Sequence, residues 1–186
     1  MKPLVRITAG GCICAALMLL ALPLRWLAGA VTAGVFHELC HVLAVVLTGG
    51  SVLEIRIGAG GTRMETSPMT SGRELICALA GPAGSFLLAA MYRLIPVTAI
   101  CAFVQGCFNL LPLFPLDGGR AVQSGLSLLL PEEQAAMICR SIRLFIVCGI
   151  MVMSFFAWFR LKLGIWPVLW GLLLLQRTVC PKNFLQ

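Results

Sequence analysis

The chain has 186 residues, is 60% hydrophobic and only 11% charged, and has a mean hydropathy of +0.98. A soluble domain of this length leaves roughly a third of its unfolded surface facing water, so this composition excludes an ordinary globular domain. The net charge of +7 comes from basic residues scattered between apolar segments. That pattern suits topology signals and headgroup anchoring, and it argues against a nucleic-acid partner.

The expected fold is an all-α polytopic membrane protein, a single domain over residues 1–186. It has six transmembrane helices and a small membrane-associated β-hairpin after the second. The apolar segments run over about 7–24, 28–47, 75–95, 97–116, 142–159 and 163–178, each near the ~20 residues needed to span. The first resembles a signal peptide, with Lys2 and Arg6 ahead of an apolar run and Ala28-Gly29-Ala30 behind it. Arg25 and Trp26 interrupt that pattern and favour an anchor that is kept. With the N-terminus inside, ten of the basic residues face the cytoplasm and four (Arg25, Arg93, Arg160 and Lys162) face outward. Both termini are then cytoplasmic.

Two stretches do not read as spans. In Val52–Ile57, apolar Leu53, Ile55 and Ile57 alternate with Glu54 and Arg56, the period of a strand. Gly58 to Gly61 supplies turn residues, and Thr62–Thr66 returns as the second strand. Leu126–Arg140 carries Pro131, Glu132 and Glu133, the composition of a first helical turn, and is expected to be a short interfacial helix. The nine cysteines are odd in number and lack the spacings of a disulfide framework, so they read as small core hydrophobes.

The chemistry concentrates in four residues. The only two histidines, His37 and His41, bracket Glu38 in an H-E-x-x-H pattern within the second apolar segment. Ionisable side chains are costly in hydrocarbon and call for a reason. Positions four apart lie on one helix face, so both imidazoles can bind one zinc ion. Glu38 lies about 100° around the helix from His37, beside a water on the metal and not on the metal itself. There it can act as general base. The same three residues could instead be interhelical hydrogen-bond partners or a proton path.

Asp117, the only aspartate, ends the run Asn109-Leu110-Leu111-Pro112-Leu113-Phe114-Pro115-Leu116-Asp117-Gly118-Gly119-Arg120. Pro112 and Pro115 break helical hydrogen bonding, which a membrane tolerates where backbone is buried in protein or lines a cavity. Asp117 is a third zinc ligand or, alternatively, a cap on the following helix. Asn109 donates hydrogen bonds to a substrate carbonyl or oxyanion, or else clamps two helices.

Phe36–His41 together with Asn109–Arg120 resembles the site-2 protease family of intramembrane zinc metalloproteases. The second motif matches that family's N-x-x-P-x-x-P-x-D-G form at every fixed position. The resemblance is nearest to the stage IV sporulation branch, which activates a sigma-factor precursor. It implies one zinc per chain held by His37, His41 and Asp117, with Glu38 as the base. It also implies membrane-embedded or membrane-proximal protein substrates, held as an extended strand by the hairpin of Leu53, Ile55 and Ile57. The expected setting is the bacterial cytoplasmic membrane, with the site in its cytoplasmic half and regulatory membrane proteins as possible partners.

The chain departs from the family pattern in places. Ala80–Ser85 resembles a G-P-x-x-N element, with Ser85 where asparagine is usual. Cys40 stands where glycine is common. Neither a nucleotide-sensing domain nor a PDZ domain is expected. A catalytically silent client-binding relative and a metal or proton transporter are the competing readings. Intact key residues weigh against the first, and the lack of repeats against the second.

Overall fold

A computed structural model describes residues 4–58 and 61–161. The element order is β1 (Leu4–Ile7), α1 (Ala9–Ala21), α2 (Leu24–Leu47), β2 (Val52–Gly58), β3 (Gly61–Thr66), α3 (Ser71–Ala90), α4 (Pro96–Asn109), α5 (Asp117–Ser127) and α6 (Glu132–Leu161).

The strand alternation after α2 forms an antiparallel pair, with Ile57 opposite Thr62 and Gly58 opposite Gly61. The sheet has a third member just ahead of the first apolar segment, where the sequence reading expected no strand. β1 pairs parallel with β2, from Leu4 opposite Glu54 to Ile7 opposite Ile57, so the order is β1-β2-β3. Thr8 joins this sheet to α1. Its backbone N–H donates to the Ile57 carbonyl at 2.9 Å, and its hydroxyl accepts from the Gly11 N–H at 3.3 Å as an N-cap. On the polar side of β2, Glu54 pairs with Arg56 at 2.8 Å and with Arg6 at 3.2 Å. The Arg56 hydrogen bond and the nearby charge of Arg6 hold the Glu54 carboxyl below its ordinary range.

Helix α2 has 24 residues, ~36 Å at the usual rise, enough to cross a bilayer core. It stops where Gly49 adopts φ +78° and the Gly50 N–H returns to the Val45 carbonyl at 2.8 Å. Among the described residues, three helices are long and apolar enough to span: Leu24–Leu47, Ser71–Ala90 and Glu132–Arg160. Phe145 is 82% exposed and Leu20 86%, the inside-out distribution of a protein solvated by lipid. Helix α3 is central and packs on α2, α4 and α5. Ala33, Leu88 and Ala102 form one buried cluster, and Ala44, Val45 and Cys77 another.

Several expected boundaries move. The first segment shortens to a helix of 13 residues that follows β1, ended at Leu22 because Pro23 disfavours helical backbone before it. The fourth becomes α4, 14 residues long, followed by an irregular turn over Leu110–Leu116. Pro112 and Pro115 are the cause, since neither can donate to a helical carbonyl. The fifth begins at Glu132 and runs unbroken to Leu161, which absorbs the expected interfacial helix over Leu126–Arg140. Segment 163–178 lies outside the described residues.

Close approach of α2 to α3 depends on Gly84. A Cβ there would overlap Cys40 Sγ and lie 2.9 Å from Cys40 Cβ. Gly84→Ala is therefore expected to cost ~1–3 kcal/mol through overpacking, seen as a lower melting temperature in detergent. Cys40→Ala in that background should restore part of the loss. Gly125→Ala, whose nearest neighbour is Leu75 Cδ1 at 4.0 Å, should leave melting unchanged.

Candidate metal centre

His37 and His41 both face inward from α2 and are buried, His37 to 2% exposure. Asp117 reaches them from the first turn of α5. Its Oδ2 lies 3.0 Å from His37 Nε2 and 3.2 Å from His41 Nε2, and the two Nε2 atoms are 3.2 Å apart. The following helix takes no side-chain cap from this region, since its N-cap is Leu116. The capping alternative for Asp117 is thereby replaced by contact with both histidines.

Hydrogen bonds behind the rings set their orientation. His41 Nδ1 lies 2.7 Å from the Cys77 carbonyl oxygen, which can only accept. His41 therefore carries its proton on Nδ1 and turns its Nε2 lone pair toward the cluster. His37 Nδ1 lies 2.8 Å from Ser85 Oγ, and Ser85 is fully buried. With the Ser85 hydroxyl accepting, His37 takes the same tautomer. Two nitrogen lone pairs and a carboxylate then converge, an arrangement that repels itself unless a cation or shared protons lie between them.

The spacing suits a metal. Three donors ~2.0–2.1 Å from one tetrahedral zinc stand about 3.3 Å apart, close to the three separations given above. Among the described residues these are the three side chains that offer donor atoms mutually within 4.8 Å. Gly81 of α3 makes room: a Cβ there would overlap His41 Nε2 and lie 2.7 Å from His37 Nε2. Gly118 plays the same part for the turn, since a Cβ there would run into the Leu110 carbonyl.

Glu38 stands beside the cluster, half-buried, with the Thr62 side chain of β3 close to its carboxylate. Asn109 is the last residue of α4 and half-buried. Among the described residues, the cluster's hydrogen bonds outside itself reach Ser85 and Cys77, not Asn109.

The hairpin expectation needs a correction. Ile55 and Ile57 alternate regularly on β2, whereas Leu53 falls in a register irregularity between Val52 and Glu54; Leu53 and Ile57 are exposed. Their strand is nevertheless central, with β1 on one edge and β3 on the other. Its backbone cannot accept a further strand, so any peptide adding to this sheet must use the outer edge of β1 or β3.

Sequence reasoning left the Ala80–Ser85 element, with Gly81 and Ser85, undecided and gave Cys77 and Thr62 no part in the site. The G-P pair at Gly81-Pro82 was a signal for the first two positions of its element. Cys77 acts through its backbone carbonyl, which every residue carries, so no residue type could have marked it.

Residues 10–116 match the model of the Peptidase M50B-like family. No curated protein matches the chain. In architecture it is similar to the Site-2 Protease from Methanocaldococcus jannaschii, with a TM-score of 0.65 at 18% identity, over 98% of this chain and 92% of that one. At that identity the likeness speaks for the fold alone. The family match covers more than half of the sequence, and the chain belongs to the Peptidase M50B-like family, the site-2 proteases.

Proposed function

We propose that the protein is an intramembrane zinc metalloprotease that hydrolyses peptide bonds of membrane-embedded or membrane-proximal proteins. The observation that carries this reading is the convergence of His37 Nε2, His41 Nε2 and Asp117 Oδ2, with both Nδ1 atoms engaged on their far sides. Those three atoms would hold one zinc ion per chain. When bound, zinc supplies Lewis acidity and lowers the pKa of water at its open position.

Glu38 takes a proton from the attacking water as the water oxygen bonds to the scissile carbonyl carbon. It then delivers that proton to the amine nitrogen as the C–N bond breaks. Asn109 steadies the substrate carbonyl by hydrogen bonding. Thr62 of β3, close to the Glu38 carboxylate, is placed to orient it. A substrate helix has to unwind before its peptide bonds are accessible, and the outer edge of β3 offers backbone partners to the extended segment. In this reading both termini are cytoplasmic and the site opens to the cytoplasmic half of a bacterial membrane. A sigma-factor precursor or a related signalling protein is the substrate class that the sporulation-type motifs favour.

Metal analysis of the detergent-purified protein tests the ligand set. Wild type should carry about one zinc per chain, and His37→Ala and Asp117→Ala should lose it. Glu38→Gln should keep the metal and lose cleavage by about 10²–10⁴-fold, the scale of a general base. A metal-free, well-folded wild type that cannot be reloaded would sink the proposal.

The supporting contacts make a separate prediction. Ser85→Ala should weaken zinc binding ~10–100-fold, as loss of a ligand-orienting partner does, without unfolding the protein. Gly81→Ala should abolish binding, because its methyl group would occupy the space of the imidazoles. Unchanged affinity in both variants, measured by competition with a chelator, would remove α3 from the site.

A further inference from the structure

Outside the His–Asp cluster, the described residues enclose a cavity of about 340 Å³ between α5, α6 and the Leu110–Leu116 turn. Pro112 and Phe114 form one wall, Val122 and Gln123 of α5 the second, and Ile142 and Arg143 of α6 the third. No acidic side chain lines it. Arg143 Nε is buried and has no hydrogen-bond partner, and no carboxylate among the described residues pairs with its guanidinium.

A guanidinium is a planar cation with five N–H donors and no acceptor. A half-buried cation against apolar walls is costly without a counter-ion, and buried N–H groups without partners are rare. The cavity therefore calls for an anion. Its place in the membrane narrows the choice. Helix α6 begins with exposed Glu132 and Glu133, and Arg143 lies eleven residues further on, ~16 Å along the axis. Two residues beyond Arg143, Phe145 is 82% exposed on a helix long and apolar enough to span. With the exposed Glu132 and Glu133 level with the headgroups, Arg143 would stand at the start of the apolar span, the depth at which basic pockets between helices bind anionic headgroups.

We propose that this cavity binds an anionic phospholipid, with Arg143 as counter-ion to the phosphate and an acyl chain along Val122 and Ile142. The turn that carries Asp117 forms one wall, and its backbone packs on Gly119, where a Cβ would lie 2.7 Å from Phe114 N. A lipid seated there would pack against that turn.

Binding can be measured on the full chain in neutral detergent, with short-chain phosphatidylglycerol and phosphatidylcholine of matched acyl length as probes. Wild type should prefer phosphatidylglycerol, and Arg143→Gln should lose about tenfold in its affinity, the scale of one charge-assisted contact. Arg140→Gln, at an exposed position one turn earlier, should bind as wild type does. Val122→Trp keeps the charge, fills the cavity and should also lose binding. Arg143→Lys should retain part of it, and it serves where the glutamine variant fails to fold. Equal losses in Arg140→Gln and Arg143→Gln would mean diffuse surface attraction and overturn the site. Displacement by inorganic phosphate at equal concentration would make it a free-anion site. Displacement by an acidic peptide would make it a peptide subsite. The readout requires no proteolysis, so this inference and the protease reading fail separately.

Discussion

Helices α2 and α3 meet along Gly81 and Gly84, where hydrogen is the only side chain that fits. At Gly81 the space that a methyl group would take holds the two imidazole rings, and at Gly84 it holds the Cys40 side chain. This approach puts the Cys77 carbonyl and the Ser85 hydroxyl within hydrogen-bonding reach of the rings behind them. Without it, two buried histidines in an apolar bundle would have neither a fixed tautomer nor a common direction. In membranes, small residues let backbones approach closely enough for such contacts, and here that packing also orients the donors.

The second demand on the fold is to bring a carboxylate to those donors from another part of the chain. Helix α4 is too short to span because Pro112 and Pro115 stop it, and the chain re-enters helix at Asp117. The broken segment is tolerated since the turn is packed on α5 through Gly118 and Gly119, not left against lipid. Arg120 reaches Glu74 at 3.6 Å and ties the same helix back to α3. The irregular backbone is thus the feature that aims Asp117, and the strand sheet beyond α2 brings Thr62 to Glu38.

Much of this was legible from residue types. The H-E-x-x-H spacing puts both imidazoles on one helix face whatever surrounds them, because 3.6 residues make a turn. The alternation of Val52–Ile57 has only one compatible period, and β2 lies there. Leu4–Ile7 was not legible as a strand, since four residues beside a basic flank are too few to show a period. The extension of α6 back to Glu132 was hidden for a related reason: a polar amphipathic turn and an apolar span can belong to one continuous helix.

By itself the sequence determined the chemistry available: two imidazoles and a glutamate on one helix, a lone aspartate after a proline-broken run, and too little polar surface to live in water. These follow from local periodicity and composition, which are properties of neighbouring residues. Tertiary structure alone decided that His37, His41 and Asp117 converge within about 3 Å of one another. It also decided that a backbone carbonyl sets the His41 tautomer while Ser85 engages His37, and that β2 is enclosed on both edges and cannot receive a strand. Those outcomes depend on how closely helices approach and which strands pair, contacts between residues 36 to 80 positions apart that no local pattern encodes.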